Sequence, residues 1–207
     1  YPCGQPAVRI DPGPIATVLE GRTRPTHFAG VCQVVLTLMH LTAPRWALFG
    51  RKDAQQLAII ESMVRDLAVP LEIVPVDIRR ENDGLAMSSR NAYLSPEQRH
   101  QALALSRALQ AGQDAAAQAT GSRPDPVAIR QTALASLEAA DGVEVDYVAL
   151  VAPDSFEDLA GAGLGLPRSE PAGEDKGEGL PAVGLLAVAA RVGTTRLIDN
   201  TLIDLRP

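Results

Sequence analysis

The sequence predicts an α/β protein, a parallel-sheet domain followed by a smaller α+β domain. Two patterns carry the prediction. Trp46-Ala47-Leu48-Phe49 and Leu71-Glu72-Ile73-Val74-Pro75-Val76 are strand-like apolar runs separated by a helical pattern, and a strand–helix–strand crossover of this length implies parallel strands. Downstream, two long helical patterns precede three strand patterns, the order expected of an α+β domain. The 207 residues, 46% hydrophobic and 21% charged, are ordinary for a globular chain and enough to bury a core in one large or two small domains.

Taken in order, Tyr1 to Thr26 is broken by Pro and Gly and reads as a loop segment with one short helix near Ile15–Leu19. From His27 the spacing of Phe28, Val31, Val35, Leu38 and Met39 predicts a helix to about Leu41, after which Pro44 separates it from the Trp46–Phe49 run, read as a buried strand. Gly50 follows, and Asp53 is placed to cap a helix reaching about Ala68, with Leu57, Ile60, Val64 and Leu67 as its buried stripe. The second strand, Leu71–Val76, closes the crossover. Ser95-Pro96-Glu97 then opens a helix to about Ala111, with a capping hydroxyl and Pro in the first turn. Pro126 to Ala140 reads as another helix, and Val143–Val151, Leu185–Val192 and Leu197–Leu202 read as strands. Gly161–Gly184 is dense in Gly, Pro and charge and is expected to be a mobile surface loop.

The totals exclude several classes. A net charge of −6 argues against a general nucleic-acid binder, and aromatics at 3% leave the core to Ala, Val, Leu and Ile. No apolar run is long enough to span a bilayer, no signal peptide opens the chain, and Cys3 and Cys32 form neither a disulfide framework nor a metal site by spacing. The expectation is a reduced, cytoplasmic protein. The chain opens at Tyr1 without an initiator Met, as a fragment would.

Ligands of open parallel sheets sit beyond the carboxyl ends of the strands, where Gly50-Arg51-Lys52-Asp53 falls. Lys52 there can reach phosphates entering at a helix N-terminus, although an exposed loop lysine is the plainer reading. Gln55-Gln56 lies in the first helical turn, facing a ligand or water. Asp83-Gly84-Leu85-Ala86-Met87-Ser88-Ser89-Arg90-Asn91 combines a Gly, two adjacent hydroxyls and a guanidinium with apolar anchors at Leu85 and Met87. Such a loop can close on a polyphosphate and stabilise charge on a leaving pyrophosphate; on composition alone it fits a solvated turn equally well. His27 reads as a loop or core histidine, His40 and His100 as helix-surface residues, and the three show no metal-ligand spacing. Arg196 and Asp199-Asn200 read as a turn or a subunit contact.

Four ordered motifs decide between these readings: Thr26-His27-Phe28-Ala29-Gly30-Val31, Phe49 to Leu57, Asp83–Asn91 with Tyr93-Leu94, and Gly193 to Asn200. From Tyr1 through Ile203 the chain resembles the pantothenate synthetase (pantoate–β-alanine ligase) family. The resemblance implies a partial Rossmann-like, parallel-sheet domain of the nucleotidyltransferase type at residues 1–78 and an α+β lid domain at 79–207. It implies activation of pantoate by ATP to pantoyl adenylate, with pyrophosphate released, then displacement of AMP by β-alanine. Gly50, Arg51, Lys52 and Asp53 would form one ATP loop, with Lys52 on the phosphates and Asp53 toward the ribose. Met87, Ser88, Ser89 and Arg90 would form the second, and the backbone at Arg79 would lie against the adenine. Gln56, Val31, Val34 and Val35 would bind pantoate, the valines lying on a helix that also makes the subunit contact of a homodimer. Lys52, Ser88 and Arg90 form the implied catalytic set, converging on one triphosphate, with Mg2+ as the accompanying ion.

The chain departs from the family pattern at Arg51 (usually Glu), Ala54 (an aromatic), Thr37 (Lys), Arg79 (Val) and Cys3 (Asp). The family's first strand and its His-containing phosphate motif are expected upstream of Tyr1, so that about the first third of the family chain is absent. The competing function is a non-catalytic nucleotide-binding or dimerising remnant, which predicts ATP binding indifferent to Arg90. Another adenylate-forming ligase is disfavoured by Gln56 and the Val31/Val35 helix.

Overall fold

The computed structural model describes residues 1, 4, 6–119, 121–167 and 180–207. The chain divides into two compact units, Tyr1–Val76 and Asp77–Pro207.

In the first unit, β1 (Trp46–Gly50) and β2 (Glu72–Val76) pair in parallel, Trp46 opposite Glu72 and Gly50 opposite Val76. Before them lie a 3-10 turn at Pro14–Thr17, the single-turn α1 (Glu20–Thr23) and α2 (His27–Thr42). The short helix expected at Ile15–Leu19 is thus split in two, because Leu19 takes a positive φ of 44° that interrupts helical geometry. Helix α2 ends where Ala43 turns left-handed, just ahead of Pro44. Helix α3 (Ala54–Asp66) makes the crossover. The core gathers Phe28, Cys32 and Met39 of α2 with Ile59, Ile60, Met63 and Val64 of α3, and burial pushes the Cys32 thiol above its ordinary range.

Strand β1 is not the buried strand its apolar run suggests. Alternate side chains point to opposite faces. Ala47 and Phe49 pack on the core, while Trp46 and Leu48 are 52% and 65% exposed. Among the described residues of this unit, the face lined by Ala47, Phe49 and Ile73 packs on the core. Leu67 likewise falls outside the expected stripe, since α3 ends at Asp66 and Leu67 is left exposed.

In the second unit, α4 (Pro96–Ala117) and α5 (Pro126–Glu138) pack on an antiparallel sheet ordered β3 (Val143–Val151), β4 (Val183–Val192), β5 (Thr195–Asp204). Ser95 caps α4 as expected and Gln98 completes a reciprocal capping box. The helix runs past its expected end at Ala111, and Gly112 lets it lie close against β4 and α5. A Cβ there would lie 2.4 Å from Leu186 Cδ2 and 3.5 Å from Ala133 Cβ. Strands β4 and β5 join through Gly193, at φ 56°. Arg196, Asp199 and Asn200 accordingly lie within β5 rather than in a turn. Gly184 belongs to β4, where a Cβ would crowd the Cδ1 atoms of Leu150 and Leu205 at 2.9 and 3.0 Å. Of the expected loop, residues 168–179 lie outside the described residues, as does Cys3. Leu166, by contrast, is buried.

Candidate functional site

The first candidate loop is built by the end of β1. Gly50 has an ordinary extended backbone, φ −73° and ψ 133°, and a Cβ there would meet nothing within 4 Å. Neither strain nor packing requires glycine at this strand end. Arg51–Asp53 form a 3-10 turn leading into α3, with Arg51 and Lys52 half-buried and Asp53 exposed. Asp53 stands at the N-cap position of α3, but its side chain makes no capping bond. The expected helix cap is therefore absent: the 3-10 turn takes Asp53 to φ −94° and ψ 58°, away from the extended conformation that lets a cap side chain fold back.

The two glutamines after this turn differ sharply. Gln55 is buried, its Nε2 donating to the Ile15 carbonyl at 2.6 Å and the Val18 carbonyl at 2.9 Å, and its Oε1 accepting from the Glu20 N–H at 3.1 Å. It is a clamp for the Pro/Gly-rich segment. Gln56 is half-buried on the next position of α3. Of the α2 valines, Val31 and Val35 pack against the core and Val34 is 43% exposed. Thr37, in place of the expected Lys, donates its hydroxyl to the Gln33 carbonyl. His27 opens α2 with its ring 5.2 Å from that of Phe28, while His40 and His100 are exposed.

The second loop belongs to the Asp77–Pro207 unit. A tight hairpin pairs Arg80 with Ala86 and turns at Gly84, whose φ is 95°. The Met87 N–H donates to the Arg79 carbonyl at 2.8 Å, joining two residues that the sequence reading expects at ATP. Leu85 and Ala86 are buried and Asn91 is 7% exposed, so both ends of the loop are seated in the interior. Met87, expected as an anchor, is 52% exposed: the hairpin turns Leu85 inward and leaves Met87 outward with Ser89 and Arg90. Ser88 Oγ accepts from the Arg90 N–H at 3.2 Å and opens a 3-10 turn, Ser89–Tyr93.

Beneath the loop lies an ionic network that motif reasoning missed. Arg80 forks onto Asp199 at 2.7 and 3.1 Å and donates to the Gly84 carbonyl at 3.1 Å. Arg99 of α4 donates to Glu81 at 2.5 Å and Asp83 at 2.8 Å. Asn91 Nδ2 donates to Glu81 at 2.7 Å and the Ala86 carbonyl at 3.0 Å, which fixes the amide's orientation and leaves Oδ1 buried without a partner among the described residues. The Asn91 amide, followed by Arg99, lowers the Glu81 pKa; Arg99, followed by the Leu85 N–H, lowers that of Asp83. One signal was available. Asp199 shares the inward phase of β5 with Leu197 and Ile203, and a carboxylate there needs a cationic partner.

Among the described residues no group of three or more His, Cys, Asp or Glu could hold a metal ion, and no helix is long and apolar enough to cross a membrane.

The sequence profile of the Pantoate-beta-alanine ligase family matches residues 1–202. The chain belongs to that family. Pantothenate synthetase 4 of Frankia alni is 51% identical over 195 residues, covering 94% of this chain and 56% of the relative. A Pantothenate synthetase of Nocardioides sp. is 50% identical over 200 residues, covering 97% and 53%. Among solved structures, Pantothenate Synthetase from Thermus thermophilus superposes with a TM-score of 0.79 at 38% identity, covering 97% of this chain and 64% of that one. The chain therefore spans about half the length of the curated ligases it matches. It shares with the family a Rossmann-like parallel-sheet unit followed by an α+β unit built on an antiparallel sheet.

Proposed function

We propose that this chain is part of an ATP-dependent ligase that condenses pantoate with β-alanine to pantothenate. In the first step a pantoate carboxylate oxygen attacks the α-phosphorus of ATP, the bond to the bridging oxygen breaks, and pyrophosphate leaves with the electron pair. The neutral amine of β-alanine then attacks the acyl carbon, AMP departs, and the amine loses a proton to solvent.

The observation that carries this reading is the loop at Leu85–Asn91. Its ends are held in the interior while Ser89 and Arg90 stand in solvent, offering a hydroxyl and a guanidinium to a polyphosphate. Such donors act on charge that grows on the leaving pyrophosphate. Lys52 and Ser88 join Arg90 as the catalytic set, with Gly50, Arg51, Asp53, Arg79, Met87 and Ser89 as further ATP contacts. The open space above Gly50 suits close approach of a ligand to the backbone. Gln56, Val31, Val34 and Val35 are the pantoate residues, with Gln56 the principal polar contact. The described residues build no metal cluster, and no step is assigned to Mg2+; an ion arriving with ATP on phosphate oxygens and water requires none. The same reading implies a cytoplasmic homodimer.

Calorimetric titration of the ATP-loaded chain with pantoate tests the substrate assignment. The wild-type chain is expected to bind pantoate, and Gln56→Ala to weaken it about tenfold with ATP affinity unchanged, the loss of one good hydrogen bond to a charged ligand. No pantoate binding, or equal affinity in the variant, would contradict the assignment.

A further inference from the structure

The reaction assigned above uses the tip of the Met87–Arg90 loop and leaves the charges beneath it unexplained. Surface ion pairs commonly contribute little, but three features set this group apart. Asp199 is only 3% exposed, and Arg80 meets it with two parallel hydrogen bonds, the geometry that fixes direction as well as distance. The bonds reach out to two separate elements, β5 through Asp199 and α4 through Arg99. Their loop-side partners are the residues flanking the tip: the Gly84 carbonyl, Glu81 and Asp83, with Asn91 completing the ring from the far side.

We propose that Arg80, Glu81, Arg99 and Asp199 are positioning residues, an ionic clamp that holds the base of the 84–91 loop so that Ser88 and Arg90 are pre-set for a nucleoside triphosphate. The proposal rests on the ATP reading. None of the four touches the nucleotide; they act by limiting the conformations Arg90 must give up on binding, which is how a fixed supporting shell raises affinity. Removing a clamp residue should therefore weaken ATP through Arg90, and the two effects should not add.

The test is a calorimetric ATP titration of the chain as wild type, Asp199→Asn, Arg99→Gln, Arg90→Ala and the Asp199→Asn/Arg90→Ala double variant. Amide hydrogen exchange on each reports local order. Expected is a loss of about tenfold in ATP affinity for Asp199→Asn and Arg99→Gln, shrinking to less than about threefold when Arg90 is already absent. Amides of residues 84–91 should exchange faster while those of β3 and β4 keep wild-type rates. Arg99→Gln, on a half-exposed side chain, keeps the test decisive if Asn at 199 prevents folding. Wild-type ATP affinity in both clamp variants, or a loss of equal size with and without Arg90, overturns the clamp alone. A wild-type chain that binds no ATP overturns the nucleotide reading and the clamp with it.

Discussion

Gln55 offers the sharpest stability prediction, because one buried side chain closes three hydrogen bonds across 35 to 40 residues of sequence. Truncation in Gln55→Ala removes all three. At about 0.5–1.5 kcal/mol net per bond the loss is roughly 1.5–4.5 kcal/mol, with unsatisfied buried carbonyls raising it and water entering the vacated space lowering it, so about 2–4 kcal/mol is expected. The effect should be local to the Pro14–Thr23 segment, which the glutamine pins to α3. Amide exchange resolves this: protection of residues 14–23 should fall by that amount, while amides of β3, β4 and β5 in the other unit stay at wild-type rates. Gln55→Glu sharpens the point. At neutral pH it sets a carboxylate against two carbonyl oxygens, so its folded-state pKa should rise above the ordinary Glu value. A raised carboxyl pKa makes the variant lose stability as pH climbs and recover it on acidification. A Gln55→Ala chain whose 14–23 amides lie within about 0.5 kcal/mol of wild type would refute the reasoning.

Three further outcomes follow from the same structure. Gly112→Ala places a methyl 2.4 Å from Leu186 Cδ2; overpacking of about 1–3 kcal/mol outweighs the roughly 1 kcal/mol gained in helix propensity, so thermal unfolding should come earlier, and pairing with Leu186→Val should restore part of the loss. Leu85→Ala should cost about 2–5 kcal/mol in the second unit, read by denaturant unfolding, because it empties a buried site. Glu81 and Asp83 are lowered from ordinary values of 4.5 and 3.8 by Asn91 and Arg99, so their contribution is complete above those values and is lost as pH falls through the lower folded ones. Exchange protection of residues 84–91 should hold from neutrality to about pH 5 and fail only below about pH 4; loosening already between pH 7 and 5 would contradict it.

Most of the fold was legible in the chain, for local reasons. The Ser95-Pro96 start of α4 encodes its own cap, and the alternation of apolar runs with a helical stripe specifies the parallel crossover without any long-range information. The exposure of one face of β1 was not legible, since an apolar run such as Trp46–Phe49 does not say how many of its faces a neighbour will cover. Gln55 and Gln56 are adjacent and chemically identical, yet one is an internal clamp and the other a half-buried surface group; only the path of residues 15–20 separates them. The loop motif at Asp83–Asn91 was visible as chemistry, while its support was not. Arg80 and Asp199 lie 119 residues apart, and the pairing depends on which face of β5 points inward.

The central proposal is that Lys52 and Arg90 of this chain each contact ATP phosphates. Calorimetric titration of ATP into the wild-type chain, Lys52→Ala and Arg90→Ala measures this directly. The account predicts saturable binding by the wild type and a loss of about 10- to 150-fold in each variant, the worth of a hydrogen bond between charged partners. Equal affinity in all three, or no binding to the wild-type chain, would contradict it.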